Sequence, residues 1–563
     1  MGKKDKAKKG KGAEKTIAKT LKKQTNKLKK ELAAKGEEDL EQVIKDLEEA
    51  DRKKNAIVED LLKDGPSRRA NFSFNAHIDK DEIIMFGGEY FNGQKTYVYG
   101  DLVIYNLKKK TWLKIQSPGA APPRCAHQAV LTAGEGGQLW IFGGEYASPS
   151  QSQFYHYKDL WVFYLKTKKW EKINATLGPT SRSGHRMVLC KKQLVVFGGY
   201  HDNGMDYKYY NDLHTFDLES RTWRKIEPAG IAPSPRSGCQ MLALPDGRIL
   251  ITGGYSKNKV KKDIDKGIVH SDAFLLVPDK HDTNGAKWKW QSVKLSGTKP
   301  SPRTGMSVVA NTIGNRAYFF GGVQDEEEDE EKWKWQSVKL SGTKPSPRTG
   351  MSVVANTIGN RAYFFGGVQD EEEDEENISG TFFNDLYCLD LEKLNFNRIT
   401  LDGVKSKKEV IDAEGATSDM VQDVEQPEAS VNAEQPIVVD DGVFTLTIGP
   451  STSGNAENAN AGATGAVAVQ VTIPSPRMGS GLCVKHGVLY LYGGIVEDGD
   501  KQYTLNDMFA LDLHKGVEWD ELIHDEQAKC EWIDSDSESS GMEGDDSSDD
   551  DDDEESDEAM EES

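Results

Sequence analysis

The chain has 563 residues, a formal net charge of −21 and 54 glycines alongside ample aromatics. That length allows one large domain or a few average ones, and the glycine- and aromatic-rich make-up suits many short strands joined by tight turns. No run approaches the ~18 apolar residues of a membrane-spanning helix, and no apolar signal core stands at the N-terminus.

The six cysteines, Cys125, Cys190, Cys239, Cys388, Cys483 and Cys530, make no C-x-x-C pair and no zinc spacing with histidine. They fit free thiols in a reducing compartment, so the expected location is cytoplasmic, nuclear or both.

The chain opens on a basic block: residues 1–31 hold 13 lysines against three acids. A block of like charge repels itself and buries little apolar area, so residues 1–13 are expected to be a disordered tail. Its charge suits weak contact with RNA or an acidic partner. From 14 to 64 the pattern turns helical, with Ile17, Leu21, Leu28 and Leu32, then Leu40, Val43, Ile44 and Leu47, then Ile57, Leu61 and Leu62. Gly65-Pro66 ends the run. This segment is expected either to pack on the domain C-terminal to it or to act as a coiled-coil-like docking helix.

Residues 65–525 repeat. A double glycine follows an apolar run at Gly87-Gly88, Gly143-Gly144, Gly198-Gly199, Gly253-Gly254, Gly321-Gly322, Gly366-Gly367 and Gly493-Gly494. The runs before it, such as IIMF, LVVF and LYLY, have strand composition. An arginine precedes each pair by 16–19 residues: Arg69, Arg124, Arg182, Arg236, Arg303, Arg348 and Arg477. An aspartate and an alternating apolar segment follow, as in NDLHTFDL, and then a tryptophan: Trp112, Trp170, Trp223, Trp288 or Trp290, and Trp519, with Phe396 in its place in the fifth full unit. Each unit therefore reads as four strands. One such sheet cannot bury both faces alone, and radial stacking buries them.

Together Arg-x-x-His/Cys, apolar-Gly-Gly, Asn-Asp-Leu and Trp resemble kelch repeats. With its Lys-rich start and acidic end, the chain is similar to the kelch domain-containing protein 4 family. The resemblance implies an all-β kelch β-propeller, expected here with six four-stranded blades, and a binding role without catalysis. Seven blades are the alternative count.

Residues 287–331 and 332–376 are identical, and the first copy lacks the Asn-Asp-Leu strand. One copy is therefore expected to stay out of the blade ring. Residues 403–472 are a polar insertion with one possible short strand at 442–448, expected to be a disordered loop. The runs Asp325–Glu331 and Asp370–Glu376 suit a solvated loop or a dock for a basic partner. Residues 526–563 form an acidic disordered tail, with 17 acids and no base from 534 on.

Strand direction alternates, so the Arg-led loops and the loops after the glycines open on one face. The candidate partner-binding set is Arg69, Arg124, Arg182, Arg236, Arg348 and Arg477 with Tyr90, Tyr146 and Tyr200. Bidentate arginine suits a carboxylate or acidic peptide, and loop tyrosines suit an interface. The competing reading has each arginine tie its own loop to a neighbouring carbonyl or carboxylate. His127 and His185 are expected in the repeat core. No catalytic, metal-binding or cofactor-binding set is expected. The functional readings are a protein-binding scaffold or adaptor, a substrate receptor of a ubiquitin ligase, and a ribosome-biogenesis or RNA-associated factor.

Overall fold

The structure is a computed structural model, which describes Lys27, 39–53, 56–292 and 472–525 with short breaks, 303–399 in pieces, and the strand pair Ile437–Asp440 with Thr445–Ile448. The expected tails at 1–13 and 526–563, and most of the helical segment before residue 39, lie outside the described residues.

Each full repeat folds as one antiparallel sheet. Blade 1 runs from axis to rim through Ser73–Ala76, Glu82–Phe86, Leu102–Asn106 and Thr111–Gln116. Its two middle strands read EIIMF and LVIYN, β-branched and aromatic, and are buried on both faces as a stacked sheet requires. Six four-stranded blades form in this way. Blade 2 starts at Gln128–Thr132, blade 3 at Arg186–Cys190, blade 4 at Gln240–Ala243, blade 5 at Ser352–Asn356 and blade 6 at Gly481–Lys485. These inner strands sit side by side round the axis, and that of blade 6 meets that of blade 1.

The seams follow one rule. The tryptophan of a blade's outer strand packs on the aromatic that precedes the double glycine of the blade before it. Trp170 lies 5.2 Å from Phe86, Trp223 5.4 Å from Phe142, Trp290 5.5 Å from Phe197 and Trp519 6.0 Å from Phe365, between ring centroids. Trp112 meets Tyr492 at 6.0 Å and so closes the ring. Blade 6 is built wholly from the C-terminal part of the repeat region, so closure is noncovalent. It is reinforced by Arg68 on Asp525 at 2.6 Å and by Tyr492 Oη donating to the Pro66 carbonyl at 3.2 Å.

The glycines answer to crowding. Gly143 and Gly198 both have positive φ, and a Cβ on either would come within 2.8 Å of the next blade's arginine carbonyl, Arg182 O or Arg236 O. The second glycine uses the same carbonyl: Gly144 N–H donates to Arg182 O at 3.1 Å and Gly199 N–H to Arg236 O at 2.9 Å.

Two expectations are corrected. The first copy of the duplicated segment is not outside the ring. Its strands Ser307–Ala310 and Ala317–Phe320 form a two-stranded wedge whose inner strand lies between those of blades 4 and 5. The reason is that its hairpin is apolar: Phe320 packs 5.5 Å from Phe396, and Ser307 Oγ donates to the Met351 carbonyl of blade 5 at 3.0 Å. Its upstream residues also supply Trp288–Ser292, the outer strand of blade 4.

The second correction concerns 14–64. A helix, α1, spans Leu40–Arg52, capped by Asp39, with Leu40 and Ile44 buried. It straps blade 2 through Glu48 on Lys172 at 2.9 Å. Residues Val58–Leu62, however, form a strand antiparallel to Thr111–Gln116, a fifth strand on the rim of blade 1. An open sheet edge overrides a short helical pattern here. Ile57 packs on the blade 1–2 core and Leu62 on the blade 6–1 core, as alternation along a strand demands. The expected strand in the insertion is there at Thr445–Ile448, paired with Ile437–Asp440.

Candidate functional site

In each of the six blades the double glycine leads into a hairpin on the face where the Arg-led loops lie. The hairpins are Glu89–Phe91 with Thr96–Val98, Glu145–Ala147 with Phe154–His156, Tyr200–Asp202 with Tyr207–Tyr209, Tyr255–Lys261 with Ile264–Val269, and Val368–Asp374 with Asn377–Phe382. In blade 6 the same hairpin is continuous with the long strands Val488–Asp498 and Lys501–Asp512. The segments expected as loops are thus ordered ribbons, arranged as a crown.

The first four ribbons are joined, each to the next. Gln151 Nε2 donates to Thr96 Oγ1 at 2.6 Å, Asp202 N–H to His156 Nε2 at 3.2 Å, and Tyr207 Oη to Asp265 Oδ1 at 2.7 Å. Lys259 also pairs with Asp206 at 2.9 Å.

The arginines lie beneath this crown. Arg69, Arg124, Arg182, Arg236 and Arg477 are fully buried, and Arg348 nearly so. Each grips the aspartate that opens its blade's third strand: Asp101, Asp159, Asp212, Asp272, Asp385 and Asp507, with Arg348 on Asp385 and Arg477 on Asp507. In Arg182 every donor is used. Nε donates to the Thr180 carbonyl at 3.0 Å, Nη1 to the Gly198 carbonyl at 2.9 Å and Asp212 Oδ1 at 2.6 Å, and Nη2 to Thr180 Oγ1 at 3.1 Å and Asp212 Oδ2 at 2.9 Å. Arg69, Arg236 and Arg477 repeat the pattern with Ser67, Ser234 and Ser475. Tyr99, Tyr157 and Tyr210, each the residue just after its hairpin, cover the guanidiniums of Arg69, Arg124 and Arg182 at 4.3, 3.9 and 4.2 Å.

This corrects the arginine part of the candidate partner-binding set. Arg69, Arg182, Arg236 and Arg477 have all five donors taken, and Arg124 and Arg348 are buried on the same kinds of partner, so none has a face to offer a ligand. The arginines instead tie the second strand, the third strand and the incoming loop of each blade, and so hold the base of each ribbon. Burial works to raise the carboxyls of Asp101, Asp159 and Asp212, but the arginine charge and hydrogen bonds win and keep them below the usual range. At Asp507 burial prevails and the carboxyl is raised.

Tyr90, Tyr146 and Tyr200 stand on the crown but are half-buried. Tyr90 stacks on Tyr97 across its ribbon at 6.1 Å, and Tyr200 on Tyr209 at 5.9 Å. The aromatic tips that face solvent are Tyr97 and Phe154, 47% and 44% exposed, and neither stands in the set expected from sequence. For Tyr97 the signal is its place between the more buried Thr96 and Val98; Phe154, which opens its strand, has none in the sequence. In sequence the fourth and fifth hairpins differ in charge. Residues 255–269 carry five lysines against two aspartates, whereas residues 370–376 are all acidic.

A constellation resembling a catalytic relay lies between ribbons 2 and 3. His156 Nδ1 is 2.6 Å from Ser183 Oγ and 3.4 Å from Glu145 Oε2. Because Nε2 accepts the Asp202 N–H, the neutral ring carries its proton on Nδ1 and cannot take one from Ser183. Burial lowers this histidine to about 4, so the ring is neutral near pH 7. Ser183 itself is buried. His127 and His185 lie sealed in the repeat core; burial takes His127 down to about 3 and holds His185 well below its ordinary value. Among the described residues no group of His, Cys, Asp and Glu has metal-binding geometry, and no helix is long and apolar enough to cross a membrane.

Residues 69–273 match the FBX42 β-propeller domain family, and residues 266–410 match the KLHDC2/KLHL20/DRC7 kelch-repeats domain. Acyl-CoA-binding domain-containing protein 5 of Arabidopsis thaliana is 30% identical over 270 residues, 46% of this chain and 37% of that protein. Tip elongation aberrant protein 1 of Schizosaccharomyces pombe is 28% identical over 221 residues, 38% of this chain and 18% of its own. Host cell factor of Drosophila melanogaster is 28% identical over 282 residues, 46% and 16%. The chain thus spans well under half the length of these relatives. Six blades, the Arg–Asp and Gly-Gly repeat and the two matched families make this chain a kelch-repeat β-propeller.

Proposed function

We propose that this propeller is a non-enzymatic scaffold or adaptor that binds a protein partner on the crown of hairpins. The observation that carries the reading is the build of that face: ribbons rooted on buried Arg–Asp pairs, the first four laterally joined, with tyrosines along them. Rigid presentation lowers the ordering cost of binding, and exposed aromatics on a rigid base make interface anchors. The ubiquitin-ligase receptor reading draws on the kelch resemblance and the ribosome-biogenesis reading on the Lys-rich start and acidic tail, and the crown favours neither over a general adaptor. Affinity capture with the intact chain tests the proposal. Tyr97→Ser with Phe154→Ser should reduce partner recovery, while Lys166→Glu with Lys191→Glu on the opposite face should not. Loss of recovery only in the second pair would overturn the reading.

A further inference from the structure

Blades 6 and 1 close the ring. On the face opposite the crown their seam opens into a cleft of about 340 Å³. The cause is local. The third residue after the aspartate held by the arginine is Ile104, Val162, Thr215, Leu275 and Cys388 in blades 1 to 5, but Ala510 in blade 6. The residue after the outer-strand tryptophan is Leu113 in blade 1 but charged in blades 2, 3 and 6, as Glu171, Arg224 and Asp520, and Asp520 lines the cleft.

The cleft has a polar floor. Tyr105 and Tyr490 line it and are only 3% and 9% exposed. Neither hydroxyl makes a hydrogen bond among the described residues. Burial pushes each to about 12, so both are neutral phenols near pH 7. The walls are apolar, from Leu107, Val488 and Leu522. Three carboxylates, Asp512, Glu518 and Asp520, stand against two lysines, Lys110 and Lys515, and Lys515 already leans on Asp512 at 3.7 Å.

We propose that this cleft takes a cation on a short apolar stem, a primary ammonium or a guanidinium. The phenol oxygens accept from it, the tyrosine faces attract it, Glu518 and Asp520 balance its charge, and the stem lies along Leu107, Val488 and Leu522. A cleft of this size suits one side chain or a small amine. The site is separate from the crown, so its test does not depend on the adaptor reading.

Saturation-transfer NMR on the intact chain provides that test, with n-butylammonium, Nα-acetyl-lysine methylamide and butanoate as probes. Saturable signals are expected from the ammonium probes and none from butanoate. Asp520→Asn should weaken the binding about tenfold, the loss of one charge-assisted contact. Ala510→Ile should fill the cleft and abolish it. Tyr490→Phe, which removes a hydroxyl and no wall, should weaken binding even if the isoleucine variant fails to fold. A signal from the lysine amide alone assigns the cation to a peptide, and one from butylammonium alone to a free amine. Equal signals from butanoate, no saturable ammonium binding, or binding unchanged by Asp520→Asn would overturn the proposal.

Discussion

Arg182 Nη1 and Asp212 Oδ1 lie 2.6 Å apart at the head of blade 3, and no part of the arginine side chain reaches solvent. Removing one partner of such a pair leaves the other charge buried and unpaired, which costs about 3–5 kcal/mol. Asp212→Asn and Arg182→Lys should therefore both lower the melting temperature sharply, the lysine because it cannot reproduce the five-donor fork. Wild-type melting in both would show that the pair does not hold the blade.

A second expectation concerns pH. Burial holds His185 well below its ordinary value of 6.5, so the fold keeps it neutral. The unfolded chain takes up a proton near pH 6.5 and the folded one does not. The stability this neutrality supplies is complete above pH 6.5 and falls away as the pH drops toward the folded value, by about 1.4 kcal/mol per pH unit. Blade 4 has Cys239 where blade 3 has His185. In urea titrations between pH 7 and pH 4.5, His185→Cys should show a shallower loss of stability than wild type. Parallel slopes would mean that the histidine is protonated in the fold.

The seam rule gives a third. Trp223 is buried against Phe142 of blade 2 and Phe216 of its own sheet, at 5.4 and 5.1 Å. Trp223→Ala should cost about 3–5 kcal/mol, read as a drop in the denaturation midpoint. A midpoint within error of wild type would contradict the blade alignment.

The duplicated segment gives a fourth. Deleting 287–331 removes the wedge and leaves an identical copy to supply the outer strand of blade 4. Among the described residues the buried apolar clusters join the wedge to blade 5 but not to blade 4. The shortened chain should fold and melt no lower than the full one. A molten or aggregated product would show that the wedge is part of the closure.

Much of the fold is legible in the sequence because each blade repeats the same chemistry: the double glycines, the tryptophans and the strand runs recur in one order. The role of the arginines is harder to read. Asp212 is 30 residues from Arg182 and Asp385 is 37 from Arg348, so the pairing emerges only when the third strand folds beside the second. The usable signal is that every complete unit with the arginine also has that aspartate. Val58–Leu62 has a helical pattern in sequence because its partner as a strand, the free rim of blade 1, is a tertiary feature. Tyr97 and Phe154 stay hidden because the post-glycine segments have loop composition, and alternation has no meaning in a loop.

The central claim is that the partner sits on the crown. Hydrogen–deuterium exchange of the intact chain, alone and with its captured partner, tests it most directly. Protection should concentrate in residues 89–98, 145–156, 200–209 and 255–269, where the ribbons stand. Unchanged exchange there, with protection instead at the opposite turns around Lys110 and Lys515, would contradict it.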